Sequence, residues 1–255
     1  MRTLLIIKAM RVDETARAGR VASMGYRFSK QAHAIGASIV GGVLMAVGAM
    51  SPVLAQDAPA ASSTPTVGCN VEEAVAAAPG VYTVSSEEST ASYVAQEELA
   101  SVGANEVVGT TNAIIGSILF DDDGMPLECS NFAVDMRTLV TDESRRDNYL
   151  RSNTLESDAF PFATFVVASV EGIDGGLAEG EATTVQLLGD LTLHGVTQPV
   201  TWEAEFTRDG DALTGTATTT FVIEDYGMEK PIVGPVVAIG DEVVLNVEIT
   251  AASEG

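Results

Sequence analysis

From Leu187 to Phe206 apolar and polar side chains change places every second residue, with one interruption at His194-Gly195. Leu187, Gly189, Leu191 and Leu193 fall on one face, and Leu188, Asp190 and Thr192 on the other. After the corner, Val200, Trp202, Ala204 and Phe206 alternate with Thr201, Glu203 and Glu205. A period of two gives each arm one apolar face, so the stretch predicts two antiparallel strands joined by a tight corner. Pro199 has no N–H to give to a ladder, which assigns it to the first position of the second strand. As periodicity alone, this is an ordinary hairpin of a β-protein.

The same pattern recurs along the chain. Strands are predicted near Val81–Ser85, Ser89–Leu99, Val107–Phe120, Leu127–Met136, Ala163–Glu171, Thr183–Leu193, Val200–Arg208, Ala212–Ile223 and Glu242–Ala251. Turns are predicted at Asp121–Gly124, Asp174–Gly176 and Arg208–Asp211. With no crossover helices between them, these strands point to an antiparallel barrel or sandwich. One helix interrupts the pattern: Thr141–Ser144 offers a capped, acidic start, and Tyr149, Leu150 and Leu155 give it an apolar side. It is expected to lie across one end of the barrel. Val71–Ala78 is a second, short helix, stopped by Pro79-Gly80.

The wording of the segments is more specific than their period. Gly189–Val200 (GDLTLHGVTQPV) resembles the "GDLTxxGVTxPV" signature of the YceI-like family of bacterial polyisoprenoid-binding proteins. Arg146–Ser152 (RDNYLRS) is similar to that family's "RDxxLRS", Phe160-Pro161 with Phe165 to its "YPxxxF", Phe221–Gly227 to its "FxIxRxxFG", and Gly240–Val243 to its "GDEV". The resemblance runs in order from about Tyr82 to Ala252 and departs at Glu224-Asp225, where the family usually carries a basic residue. It implies an all-β fold: a lipocalin-like antiparallel β-barrel of about eight strands with one or two short helices, behind a signal segment and a disordered linker. The expected limits are 1–55 for the signal segment, 56–79 for the linker and 80–253 for the barrel. Arg146, Asp147, Leu150, Asp190, Gly195 and Pro199 are the expected structural residues of the motifs. For Asp147, a salt bridge with one of the arginines, pinning the helix to a strand end, is expected ahead of contact with a ligand.

The first 55 residues read as a targeting segment. Seven basic side chains precede an uncharged run from Ala34 to Ala55, which ends in the small residues of a signal-peptidase site. The 22-residue run is also long enough to span a bilayer, so a retained anchor is the alternative. Met24 would begin a more ordinary signal. Cleavage after Ala55 would remove seven of the 13 basic and two of the 36 acidic residues, leaving a net charge near −28. Such a field repels nucleic acid and anionic head groups, which leaves the N-terminal segment as the only expected link to a membrane. The expected location is exported, periplasmic or extracellular, and membrane-anchored if the segment stays. Cys69 and Cys129, the two cysteines, are expected to pair in an oxidising compartment, with two free thiols as the alternative.

Chemistry-bearing motifs are sparse. The histidines are His33 and His194, and no H-x-x-x-H, C-x-x-C, G-x-S-x-G or phosphate-cradling glycine loop occurs. His194 is expected to be a hydrogen-bonded turn residue; no metal site, catalytic residue or cofactor is expected. Inward-facing stripes of large apolar residues are punctuated by Gly116, Gly189, Ala204, Gly215 and Ala217, which suits either a hollow lumen or the coiling of a filled barrel. The family resemblance tips the reading toward a cavity lined by some of Ile114, Ile118, Phe132, Val134, Phe165, Leu191, Leu193, Trp202, Phe206, Leu213, Phe221 and Leu245. It would open at the end covered by the Arg146–Ser152 helix. The function this implies is non-enzymatic: holding a long polyisoprenoid- or quinone-like chain, with an apolar lipid as partner and a homodimer as the assembly, if any. The alternative is a secreted structural or stress-related domain with a filled core.

Overall fold

The computed structural model of the chain describes residues 68–253, so the expected signal segment and the first half of the expected linker lie outside the described residues. The hairpin is built by β7 (Thr183–Leu193) and β8 (Val196–Asp209). His194 (φ 49°) and Gly195 (φ 73°) both adopt left-handed backbone, the turn whose twist matches that of paired strands. β8 starts at Val196, so Pro199 lies inside the strand rather than at its first position. It sits opposite Asp190, in a stretch of β8 that has no register with β9 (Ala212–Val222) before Glu203. A missing N–H that faces this free side leaves no ladder bond unmade.

Around the hairpin the sheet runs β1 (Gly80–Val84), β4 (Ile114–Phe120), β5 (Asn131–Asp135), β6 (Phe162–Glu171), β7, β8, β9 and β10 (Val236–Ser253), and closes where β10 pairs β1. This is the expected eight-stranded antiparallel barrel. β10 is long enough to carry two strands end to end along one side: β2 (Thr90–Leu99) beside Val236–Glu248, and β1 beside Ala251–Ser253. β3 (Gly103–Thr111) continues the line of β4 in the same way, so the predicted single strand Val107–Phe120 is broken at Asn112-Ala113. The Asn112 side chain causes the joint, donating to the Ser89 carbonyl (2.7 Å) and to Thr90 Oγ1 (3.1 Å) across the matching break between β1 and β2.

Two other segments differ from the sequence pattern. Leu127–Ser130, predicted as strand, makes turn contacts that close one end of the barrel, with Leu127 N–H donating to the Leu119 carbonyl and Cys129 N–H to the Val167 carbonyl. β5 is left with five residues. Its shortness matters at the other end, where the outer edge of β3 meets only an isolated bridge, Thr110 to Val140. The opening there is filled by the segment Met136–Leu155, which contains α2 (Ser144–Tyr149) and the π-helical turn Leu150–Thr154.

The expected first helix forms as α1 (Val71–Ala77), capped by Asn70, whose side chain accepts from the Glu73 N–H. The expected disulfide is present: Cys69 is bonded to Cys129, tying the start of α1 to the closed end of the barrel. In the core, Trp202 is packed edge-on to Phe132 and tilted against Phe165, with ring centroids 5.5 and 5.7 Å away. The inward glycines serve this packing. A Cβ on Gly189 would lie 2.8 Å from the Phe165 ring, and one on Gly215 would run directly into the Phe206 ring. These glycines make room for aromatic rings, and the space they vacate is filled.

Candidate functional site

The hollow part of the barrel is at the α2 end, where a cavity of about 590 Å³ opens to the surface. That size lies inside the range of pockets for small organic ligands. Along β2 the inward positions are Tyr93, Ala95, Glu97 and Leu99, and opposite them on β10 stand Leu245, Val243, Ile239 and Val236. Val107, Leu193, Phe221 and Ile223 complete the deeper wall, and Met136, Leu139, Tyr149, Leu150 and Leu155 form the side contributed by the α2 segment. The rim is made by Asp142, Glu143 and Arg145 on one side and by the Pro231–Pro235 loop on the other.

Each part of the Arg146–Ser152 motif has a mechanical role here. Asp147 is buried and accepts from the Thr141 N–H (2.9 Å) and hydroxyl (2.7 Å), closing the turn that starts the helix. The expected arginine partner of Asp147 is therefore replaced by Thr141. Arg146 supplies the anchor to a strand, lying 3.5 Å from Glu97 on β2 and 2.6 Å from Asp142. Arg151 donates to the Leu139 carbonyl (2.9 Å), and Leu150 faces the cavity. On the opposite rim, Lys230 pairs with Glu224 (3.1 Å) and Asp241. Lys230 thus answers two rim carboxylates and fastens the start of the Pro231–Pro235 loop.

The twelve residues expected at a cavity separate into three sets. Leu193, Phe221 and Leu245 line the large cavity. Ile118, Phe132, Phe165 and Phe206 surround a second void of only about 50 Å³ toward the disulfide end. Ile114, Val134, Leu191, Trp202 and Leu213 line neither and are buried core. The layer between the voids can be followed strand by strand. On β7, Leu191 stands between Leu193 above and Leu187 below; on β9, Thr219 stands between Phe221 and Ala217. Leu191, Thr219 and Trp202 thus form a floor, one layer thick.

The sequence pattern missed Glu97, hidden within Gln96-Glu97-Glu98. Its signal was phase, because Ala91, Tyr93, Ala95 and Leu99 place residue 97 on the inward side. Burial pushes the Tyr93 hydroxyl up to about 12, against the opposing influence of nearby Arg146, so it stays a neutral donor and acceptor at ordinary pH. At the hairpin corner, His194 Nε2 lies 2.8 Å from Glu156 and Nδ1 3.3 Å from the Tyr226 carbonyl, which gives the histidine the structural contacts expected of it.

The pattern of the YceI-like domain matches residues 82–251. The chain belongs to the YceI-like domain family. A UPF0312 protein of Pseudomonas putida (strain W619) is 33% identical over 143 residues, which cover 52% of this chain and 70% of the relative. A UPF0312 protein of Vibrio vulnificus (strain YJ016) is 34% identical over 109 residues, 43% of this chain and 54% of the relative. Among solved structures, a polyisoprenoid binding domain from Saccharophagus degradans, implicated in plant cell wall breakdown, superposes with a TM-score of 0.54 at 17% identity, covering 68% of this chain and 98% of that one. Burkholderia cenocepacia BcnA superposes with 0.52 at 16% identity, covering 66% and 99%. At these identities the YceI-like barrel is what the structures share.

Proposed function

We propose that this YceI-like protein is an exported, non-enzymatic carrier that holds one long apolar chain in the cavity beneath α2. The observation that carries the reading is the 590 Å³ cavity itself, whose wall from Leu245 and Phe221 up to Val236 is mostly apolar, interrupted by Tyr93 and Glu97 on β2. Water in such a space finds few partners, and an isoprenoid tail replacing it gains about 0.8 kcal/mol for each CH₂ it buries. The naming of the Saccharophagus barrel as polyisoprenoid binding supports the same class of ligand. Export is supported by the Cys69–Cys129 disulfide, a bond that persists in oxidising compartments. The closed half of the barrel, below Trp202, favours the competing reading of a filled structural domain. Mass spectrometry of an organic extract of natively purified protein separates the two. A stoichiometric apolar molecule is expected, and an empty extract from protein that also ignores added prenol and quinone would overturn the carrier reading.

A further inference from the structure

Among the described residues, Glu97 is the one carboxylate set into the cavity wall above the floor and below the rim. Its side chain is 4% exposed, the Asn105 amide donates to it at 2.8 Å, and Arg146 stands 3.5 Å away. Arg146 is shared with Asp142, so its charge is already answered by two carboxylates. The charged groups of the whole lining are Glu97, Asp142, Glu143, Arg145 and Arg146, three acidic and two basic. An anionic head group entering this neck would meet the Glu97 carboxylate in a low-dielectric wall, where like charges repel strongly. A hydroxyl fits: it donates to Glu97 and accepts from Arg146 or from Tyr93, the next inward polar group on β2.

The tail is bounded in the other direction. Cross-strand pairs descend from Leu99/Val236 at the rim through Glu97/Ile239 and Ala95/Val243 to Tyr93/Leu245, and the Leu191–Trp202 layer lies beneath. At roughly 25 Å³ per non-hydrogen atom, the scale at which an apolar cavity of about 150 Å³ holds benzene, the 590 Å³ above this floor holds about 20 such atoms. We propose that the cavity selects an uncharged, single-chain lipid alcohol of about 20 carbons, with its hydroxyl at Glu97–Arg146 and its tail ending on the floor, and that it rejects the phosphorylated form. This rests on the carrier reading and adds head-group charge and chain length to it.

The test is titration of lipid-stripped protein, followed by native mass spectrometry, with four probes: geranylgeraniol, geranylgeranyl diphosphate, the shorter farnesol and the much longer solanesol. Geranylgeraniol is expected to bind at least ~10-fold more tightly than its diphosphate, as like-charge juxtaposition requires. It is also expected to exceed farnesol and solanesol. Glu97→Gln, which keeps an acceptor for Asn105, is expected to narrow the gap between alcohol and diphosphate at least several-fold. Equal or tighter binding of the diphosphate by the wild-type protein overturns the head-group assignment, and equal binding of solanesol overturns the length limit; in both cases the carrier reading stands. Failure of all four probes to bind sinks the proposal, and sinks the carrier reading as well if the native extract is empty and added quinone is also ignored. The wild-type comparisons need no variant, so the proposal is decided even if Glu97→Gln does not fold.

Discussion

His194 and Gly195 share one turn but differ in what the turn asks of them. A Cβ at Gly195 would meet the Phe160 ring at 2.7 Å, on backbone already at φ 73°. Gly195→Val therefore combines left-handed strain with displacement of a packed ring, and is expected to cost about 1–3 kcal/mol, read as a lowered denaturant midpoint. His194→Ala gives up its bond to the half-exposed Glu156 and should cost within about 1 kcal/mol. Tyr93 makes a prediction in pH. Its hydroxyl titrates near 10 in the unfolded chain and near 12 in the folded one, so its contribution to stability is complete below pH 10 and is lost as pH rises toward 12. Burial shifts Tyr82 and Tyr226 in the same direction. Melting temperature should fall across that window, and Tyr93→Phe should flatten the fall; an unchanged slope would show that Tyr93 ionises as freely folded as unfolded.

Among the elements, those with strict alternation were legible in the sequence: β7, β8 and β9 lie where the period of two placed them, as does the corner between β7 and β8. The joints were not. The stretch Val107–Phe120 reads as one strand, and it is the reach of Asn112 to Ser89, 23 residues away in sequence, that reveals a break there. Pro199 could not be placed correctly because a strand's own residues do not say which of its sides lacks a neighbour. In the site, the α2 segment was legible through its motif, while Glu97 required the inward phase of β2 to be known. The residues expected at a cavity lie along one void or the other or in the buried core, because period says nothing about height along the barrel axis, which is what sorts Leu193 from Leu191. The disulfide is an element of its own, closing a separation of 60 residues. In the loop-entropy picture its reduction should cost about 4 kcal/mol, measurable as a difference in denaturation with and without reductant.

At the scale of the molecule the barrel is two bodies in one wall, a packed half tied by the disulfide and a hollow half roofed by α2. Leu191 belongs to the layer that divides them. Leu191→Ala should destabilise by about 2–5 kcal/mol. In protein that still folds, it should also join the 590 and 50 Å³ spaces and shift bound tails toward greater length. A loss of stability with no change in chain-length preference would mean that the floor is set elsewhere.

The bare outer edge of β3 has a consequence in time as well as in space. Among the described residues, β3 is paired with β2 along Gly103–Thr111 but on its other side only at Thr110. Apart from Thr110, which donates to the Val140 carbonyl, the amides of β3 that face this edge have no strand to donate to, and in hydrogen exchange they should trade their protons at the pace of a surface loop while those facing β2 stay slow. The same lack of partners lets β3 and the α2 segment part briefly without disturbing β6, β7 or the disulfide. On the carrier reading, a lipid would enter or leave sideways through a local opening there, at a rate set by that seam and independent of the stability of the whole fold.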